Sequence, residues 1–194
     1  MNKYFFFRKS LCLIVICLLL GVNVFAQQDL TGKPTGNFIK PTTVKSIGRL
    51  EGIDGIFVSY NDSLLRGGEI ENNLAINKLK ERGVSVIISN SENAEAKGSA
   101  KKQGIKYYYI PFDKTVGLNA KAYKSFLKAT VKQDGMYFFT SKDEGKHEAG
   151  IFCAIYRMVY EKWTYEEAMR EYIKLGGAPL DDKICMESVR DIVK

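Results

Sequence analysis

The sequence has few of the residues that bind metals or form disulfide bonds. Its 194 residues include four cysteines and a single histidine, His147. A structural zinc site needs about four cysteine or histidine ligands, so we expect neither a metal centre nor a cofactor. Two of the cysteines lie in the first 20 residues, which leaves Cys153 and Cys185 as the remaining pair. They form either a disulfide or two buried free thiols, and the sequence leaves both alternatives open.

A dense cluster of basic residues is also missing. The 29 lysines and arginines and 22 aspartates and glutamates give a net charge of +7, and the basic residues are spread along the chain. A nucleic-acid-binding surface usually shows a basic patch interleaved with aromatic residues. We therefore expect a solvated surface and no nucleic-acid partner.

The N-terminal residues 1–26 have the order of a secretory signal peptide. Three basic residues precede an apolar run at residues 11–20, and Val24 and Ala26 then occupy the positions before a cleavage site. A permanent membrane anchor is the alternative, but the run is shorter than the roughly 20 residues of a spanning helix. We expect cleavage near Ala26 and an exported product, periplasmic or extracellular, without stable membrane insertion.

The remaining 168 of the 194 residues fit one domain. Residues 27–46 are polar, contain glycine and proline, and lack periodicity, which is typical of a flexible arm. The folded domain is predicted to span residues 47–194. The net charge of the mature chain, residues 27–194, falls to +4, since three basic residues leave with the signal.

Short β-rich runs alternate with helix-period segments along this domain. The predicted strands are 55–58, 64–65, 84–88, 106–110 and 136–139. The predicted helices are 73–82, 94–103, 119–132, 149–161, 164–176 and 181–193. Thr164 and Glu167 have the spacing of a capping box at the start of one helix. The alternation predicts an α/β fold of three layers, with a central, mainly parallel sheet flanked by helices.

The loop between the strand 136–139 and the helix that begins at Ala149 is the candidate binding loop. Ligands of α/β sheets bind outside the carboxyl ends of the strands, where helix N-termini favour anions. With Gly145 in its middle, the loop is expected to wrap its amides around a phosphate-sized anion. The loop residues are Ser141, Lys142, Asp143, Glu144, Gly145, Lys146, His147, Glu148, Ala149 and Gly150.

Residues 141–150, with the Ala154-Ile-Tyr-Arg157 and Glu161-Lys-Trp163 segments that follow, resemble the bacterial branch of the dual-specificity and protein-tyrosine phosphatases. The active-site stretch of that family reads roughly His-Cys-x-x-Gly-Lys-Asp-Arg-Thr-Gly. Upstream, residues 64–68 resemble the family's Leu-Tyr-Arg-Ser-Gly turn, and residues 109–112 resemble the segment before its general-acid loop. The resemblance covers about residues 55–177, and it implies a phosphatase-like fold.

Four positions depart from the family pattern. Lys142 stands where the resemblance places the nucleophilic cysteine, and Glu148 stands where it places the phosphate-binding arginine. Ser141 and Ala149 replace the family's histidine and threonine. Phosphoester cleavage by this route needs a thiolate and a guanidinium, whereas Glu148 repels the phosphoryl oxygens. The resemblance therefore implies a pseudophosphatase, a binding or scaffold protein for an unidentified protein or small-molecule ligand.

Two other polar residues lie near the expected site. The resemblance places Asp113 close to the family's general acid, with Lys114 as the other occupant of that position, although a turn-capping aspartate is the favoured interpretation. His147 is expected to point to solvent. Cys153 falls inside an apolar helix and is expected to be a packed thiol.

Two alternatives to the pseudophosphatase remain. The first is a phosphoric-ester hydrolase acting on an exported phosphorylated substrate through relocated residues: Asp113, His147 or Asp143. The second is an exported α/β domain whose resemblance is only architectural. We further expect Lys142 and Glu148 to form an internal ion pair in the space of the phosphate; the alternative is that the two side chains point separately into water.

Overall fold

The structure is a computed structural model that describes residues 44–132 and 135–193. The predicted signal peptide and most of the predicted arm lie outside these residues. Within them, β1 spans Ser46–Gly48 and pairs with β2, a strand that the sequence pattern did not predict. The predicted strand at 55–58 begins later, at Phe57, because Gly55 adopts a positive φ of 64° in the preceding turn.

The sheet contains six strands. They are β1 Ser46–Gly48, β2 Phe57–Ser59, β3 Leu64–Gly67, β4 Val84–Ser89, β5 Lys106–Tyr109 and β6 Met136–Thr140. Their spatial order is β1-β2-β3-β6-β4-β5. The pairs β1–β2 and β2–β3 are antiparallel, whereas β3–β6, β6–β4 and β4–β5 are parallel. The predicted mainly parallel sheet is confirmed.

Six α-helices follow the strands within the described residues. They are α1 Asn73–Glu81, α2 Ala94–Lys102, α3 Ala120–Thr130, α4 Glu148–Tyr160, α5 Tyr165–Lys174 and α6 Lys183–Ile192. The first three begin after an asparagine whose side chain accepts a hydrogen bond from a first-turn amide. Both hydrogen bonds of the predicted Thr164–Glu167 capping box are present at α5: each side chain accepts from the backbone amide of the other residue. These caps fix where the helices start.

The helices cover both faces of the sheet and make three layers. On β6 the side chains alternate, so that Phe138 packs with α1 and α2, whereas Tyr137 and Phe139 pack with α3 to α6. The first ten residues of α4 are all buried, because this helix lies between the sheet and α5. The three-layer α/β architecture predicted from the sequence is confirmed.

The parallel strands end at one edge of the sheet. Thr140, the last residue of β6, is level with Gly67 of β3 and with Ser89 of β4, and Ser89 is level with Tyr109 of β5. The loops that leave these four strands therefore meet at the carboxyl edge, where ligands of such sheets bind.

Candidate functional site

The loop from β6 to α4 is held against the end of β3. Thr140 Oγ1 donates to the Gly68 carbonyl. Gly145 has a φ of +70°, and a Cβ atom there would lie 2.1 Å from the Gly67 carbonyl oxygen. Any larger residue at position 145 would therefore displace the loop. Gly150 is similarly constrained, because a Cβ atom would lie 2.7 Å from the Tyr172 ring.

The loop has an unusual backbone in which three successive residues are left-handed. Asp143 and Glu144 have φ values of 52° and 57°, ahead of Gly145. Non-glycine residues in this region are uncommon and cluster at functional sites. Lys146 Nζ lies 2.6 Å from Glu144 Oε2, and this contact lowers the pKa of Glu144.

Four of the ten loop amides have acceptors inside the loop. The amides of Gly145 and Lys146 donate to the carbonyls of Lys142 and Asp143, at 3.0 and 3.1 Å. The Ala149 amide donates to Ser141 Oγ at 3.2 Å, and the Glu148 amide donates to its own carboxylate. An anion in this loop would have to compete with these acceptors for those four amides.

Lys142 and Glu148 do not form the expected ion pair. Their charged atoms are farther apart than 4.0 Å; instead Lys114 Nζ lies 3.5 Å from Asp143 Oδ2. Lys142 is exposed, whereas Glu148 is buried at the first turn of α4. An ion pair with the buried Glu148 would require the Lys142 ammonium to leave water, and the free-energy cost of removing its hydration opposes the pair. The prediction of a loop filled by its own ion pair is therefore wrong.

Asp113 caps a turn beside the loop. Its carboxylate accepts from the Thr115 amide and from Thr115 Oγ1, at 2.7 and 2.6 Å, and it is exposed. These two hydrogen bonds hold the pKa of Asp113 below its ordinary value. A carboxyl group with a lowered pKa is ionised near neutrality and is poorly suited to donate a proton. The turn-capping interpretation is confirmed.

His147 is held by an aspartate that the sequence analysis missed. Its Nδ1 lies 2.8 Å from Asp182 Oδ2, and its side chain is only 13% exposed, so the expectation that His147 points to solvent is wrong. Asp182 is buried and also accepts from Tyr172 Oη and from the Ala178 amide. Because Asp182 immediately precedes α6, this network links the loop to the C-terminal helices.

Both described cysteines are free and buried. Cys153 and Cys185 form no disulfide, so the free-thiol alternative holds, and Cys153 is a packed thiol as expected. Burial raises the pKa of each thiol to about 12. Neither is a thiolate near neutral pH, and neither reaches the loop surface as a nucleophile.

The family-like residues that follow the loop stabilise the helices. The guanidinium of Arg157 donates to both carboxylate oxygens of Glu171, from Nε at 2.9 Å and from Nη2 at 3.1 Å. It also pairs with Glu161 and lies 4.5 Å from the centre of the Trp163 ring. The Tyr-Arg and Glu-x-Trp segments therefore join α4 to α5 and are not part of the ligand surface.

A cavity of about 600 Å³ opens at the carboxyl edge beside the loop. Of the sequence-predicted site residues, Lys142, Asp143, Glu148 and Asp113 line it, whereas Glu144, Gly145, Lys146 and His147 do not. Five carboxylates line the cavity: Glu69, Glu92, Asp113, Asp143 and Glu148. Lys114 and Lys142 supply the lysine ammonium groups, so the lining has a net charge of −3 when all seven groups are ionised.

The sequence analysis missed Glu69 and Glu92. Both follow the carboxyl ends of strands that were predicted, β3 and β4, and that position alone could have identified them. Within residues 44–132 and 135–193, no three potential ligands from histidine, cysteine, aspartate and glutamate converge on a point where a metal ion would fit. None of the helices in the same ranges is both long and apolar enough to cross a membrane.

The fold is similar to those of solved phosphatase structures, although no family model and no curated protein matches the chain. TpbA of P. aeruginosa has a TM-score of 0.61 at 16% identity, covering 76% of this chain and 90% of that one. PTPMT1 has a TM-score of 0.56 at 19% identity, covering 70% and 95%. A putative phosphatase from Shewanella putrefaciens CN-32 has a TM-score of 0.55 at 18% identity, covering 75% and 94%. The chain therefore has an α/β fold of the tyrosine and dual-specificity phosphatase type.

Proposed function

We propose that the protein is a non-catalytic, phosphatase-like binding domain. The observation that carries the proposal is that Lys142 lines the cavity, since the sequence resemblance places Lys142 at the family's nucleophile position. A protonated ammonium has no electron pair with which to attack phosphorus, and the buried thiol of Cys153 cannot replace it. The proposed pocket is therefore one without the group that performs the first step of turnover in the family.

The electrostatics of the site support binding without phosphoryl transfer. The resemblance places Glu148 at the family's arginine position, and burial raises its pKa, against the lowering effects of its own amide and of His147 and Lys114. In the transition state of phosphoryl transfer, negative charge is spread over the equatorial oxygens and requires cations around it. A TpbA serine variant has been solved in complex with pTyr. By contrast, the cavity of this protein, with a net charge of −3, does not favour a phosphate dianion as its ligand.

The relocated hydrolase is the weaker candidate. It requires a nucleophile with a nearby base, or an acid with a raised pKa. Asp113 has a lowered pKa and is engaged by Thr115, and His147 is engaged by Asp182. Asp143 lies beside Lys114. The hydrogen bond from His147 Nδ1 to Asp182 leaves a lone pair free on Nε2, but His147 does not line the cavity, so it is not placed to act on a ligand there.

Export of the mature domain is part of the proposal. It rests on residues 1–26, whose basic, apolar and small-residue order is that of a signal peptide. The partner would then be an extracytoplasmic protein or small molecule.

Hydrolysis of a generic aryl phosphate by the purified protein tests the absence of catalysis. We expect no rate above buffer, and no change in the Cys153→Ser variant. A rate well above buffer that alkylation and Cys153→Ser both abolish would contradict the proposal, because it would identify a working thiol. The double variant Lys142→Cys/Glu148→Arg provides the matched comparison, since it restores the two groups that the chemistry requires.

A further inference from the structure

The charge of the cavity is opposite to that of the chain. The chain has a net charge of +7, yet the cavity lining carries five carboxylates and two lysines. Lys114 lies 3.5 Å from Asp143, so these two charges largely offset each other. The exposed Lys142 then remains against Glu69, Glu92, Asp113 and Glu148. The potential inside the cavity is therefore negative, and clefts of one charge sign concentrate ligands of the other.

Glu148 supplies a carboxylate without a counter-ion among residues 44–132 and 135–193. Its relative exposure is 9%, and within those residues its hydrogen bond comes from its own backbone amide. No described cation lies within 4.0 Å of it. Buried carboxylates are normally paired or bonded to several donors, because removing a charge from water is costly. Glu148 therefore has the hydrogen-bonding capacity to accept from a donor that enters the cavity.

We propose that this cavity binds an organic cation that carries a primary ammonium or a guanidinium group. The inference rests on the proposed function and deepens it, because it assigns a ligand class to the same non-catalytic pocket. The cationic group donates to the Glu148 carboxylate at the position where the related fold holds phosphate oxygens. Glu69 and Glu92 attract further positive charge along the rim.

An organic cation fits better than a metal ion. The carboxylates are distributed around the wall: within residues 44–132 and 135–193, no three metal-ligating side chains converge on one point. The lining also contains two aromatic residues, Tyr109 and Phe112. Aromatic rings attract ammonium and guanidinium groups and pack against the alkyl chain that carries them. The volume of about 600 Å³ is in the range of small-molecule sites.

Titration calorimetry with two probes tests the inference and separates the two sources of such a group. Spermidine represents a free polyamine, and acetyl-Gly-Lys-Gly-amide represents a protein side chain. We expect saturable binding of at least one probe in low-salt buffer, weakened by added salt. The same peptide acetylated on its ε-amino group is the neutral counterpart, and it should not bind.

Glu148→Gln should weaken binding of the cation by about tenfold or more, since a hydrogen bond to a charged group is lost. Glu81→Gln removes an identical charge from the exposed end of α1, away from the cavity, and should change the affinity by less than about twofold. If Glu148→Gln does not fold, Glu92→Gln, at an exposed position on the cavity rim, replaces it with the same expected direction.

Three results would overturn the inference: no binding of either cationic probe, equal binding of the acetylated peptide, or equal affinity in Glu148→Gln and Glu81→Gln. These outcomes leave the non-catalytic proposal intact, because that proposal depends on the aryl phosphate assay alone. Hydrolysis of aryl phosphate would contradict the proposed function, whatever the calorimetry shows.

Discussion

Replacing Asp182 with asparagine tests whether one buried carboxylate anchors the loop to the helices behind it. Three donors from three segments contact this carboxylate: His147 Nδ1 from the loop, Tyr172 Oη from α5, and the Ala178 amide from the turn that follows α5. Asparagine keeps one acceptor oxygen and places an NH₂ group against the remaining donors. Asp182→Asn should therefore lose one or two hydrogen bonds to a charged acceptor and gain a repulsive contact.

The magnitude follows from the strength of such bonds. A hydrogen bond to a charged group contributes about 1.5–3 kcal/mol, so we expect the free energy of unfolding to fall by about 2–4 kcal/mol. At this chain length, each kcal/mol corresponds to about 2–4 °C, which predicts a melting temperature lower by roughly 5–15 °C. Urea unfolding followed by circular dichroism measures the free energy, provided that the m-value is unchanged.

The neighbouring residue provides the control. Asp181 is exposed, and Asp181→Asn makes the same chemical change one residue away. It should alter the free energy of unfolding by less than about 0.5 kcal/mol. An Asp182→Asn variant as stable as Asp181→Asn would refute the argument that the carboxylate anchors the loop.

The stability difference between the parent and Asp182→Asn should also depend on pH. Burial alone would raise the pKa of Asp182, but the hydrogen bonds from Tyr172, His147 and the Ala178 amide outweigh it and hold the pKa below its ordinary value. The stabilisation is therefore complete above the unfolded-state pKa of about 3.9 and is lost as the pH falls through the lower folded-state pKa. A difference that widens as the pH falls below about 4 would contradict this assignment.

Two further predictions concern the helices and the N-terminus. Arg157→Lys keeps the charge but removes the two-point contact with Glu171 and the stacking on Trp163, so it should lower the free energy of unfolding by about 1–3 kcal/mol, measured by urea unfolding. An unchanged free energy of unfolding would mean that a positive charge at position 157 is enough for stability, without the two-point contact or the stacking. Mass spectrometry of the protein made in cells should find Gln27 at the N-terminus, and a retained Met1 with tight membrane association would instead identify an anchor.

The fold could be predicted because its signals are local. Hydrophobic periodicity, the glycines that end helices, and the Thr164–Glu167 spacing each act within a few residues, and the structure has the elements they predict. β1 was missed because it has only three residues, all exposed, and depends on pairing with β2 rather than on its own composition.

The site was only partly predictable, because its contacts join distant segments. The loop and its carboxyl-edge position followed from the sequence pattern, but the partner of His147 lies 35 residues away at the start of α6. The expected pairing of Lys142 with Glu148 failed because the sequence does not show which of the two is buried. The acidic character of the cavity was also not predicted from the sequence, because it arises only when the loops after β3, β4 and β6 meet.

Titration of the unmodified protein with tungstate, a phosphate analogue, tests the central claim most directly. The proposal is that this pocket no longer binds phosphate-like anions, because the resemblance places Glu148 at the family's arginine position and four of the ten loop amides donate within the loop. It predicts no saturable binding of tungstate up to about 1 mM. Binding with a dissociation constant of about 1 μM would contradict the account, because it would show that the loop still holds a phosphate-like anion.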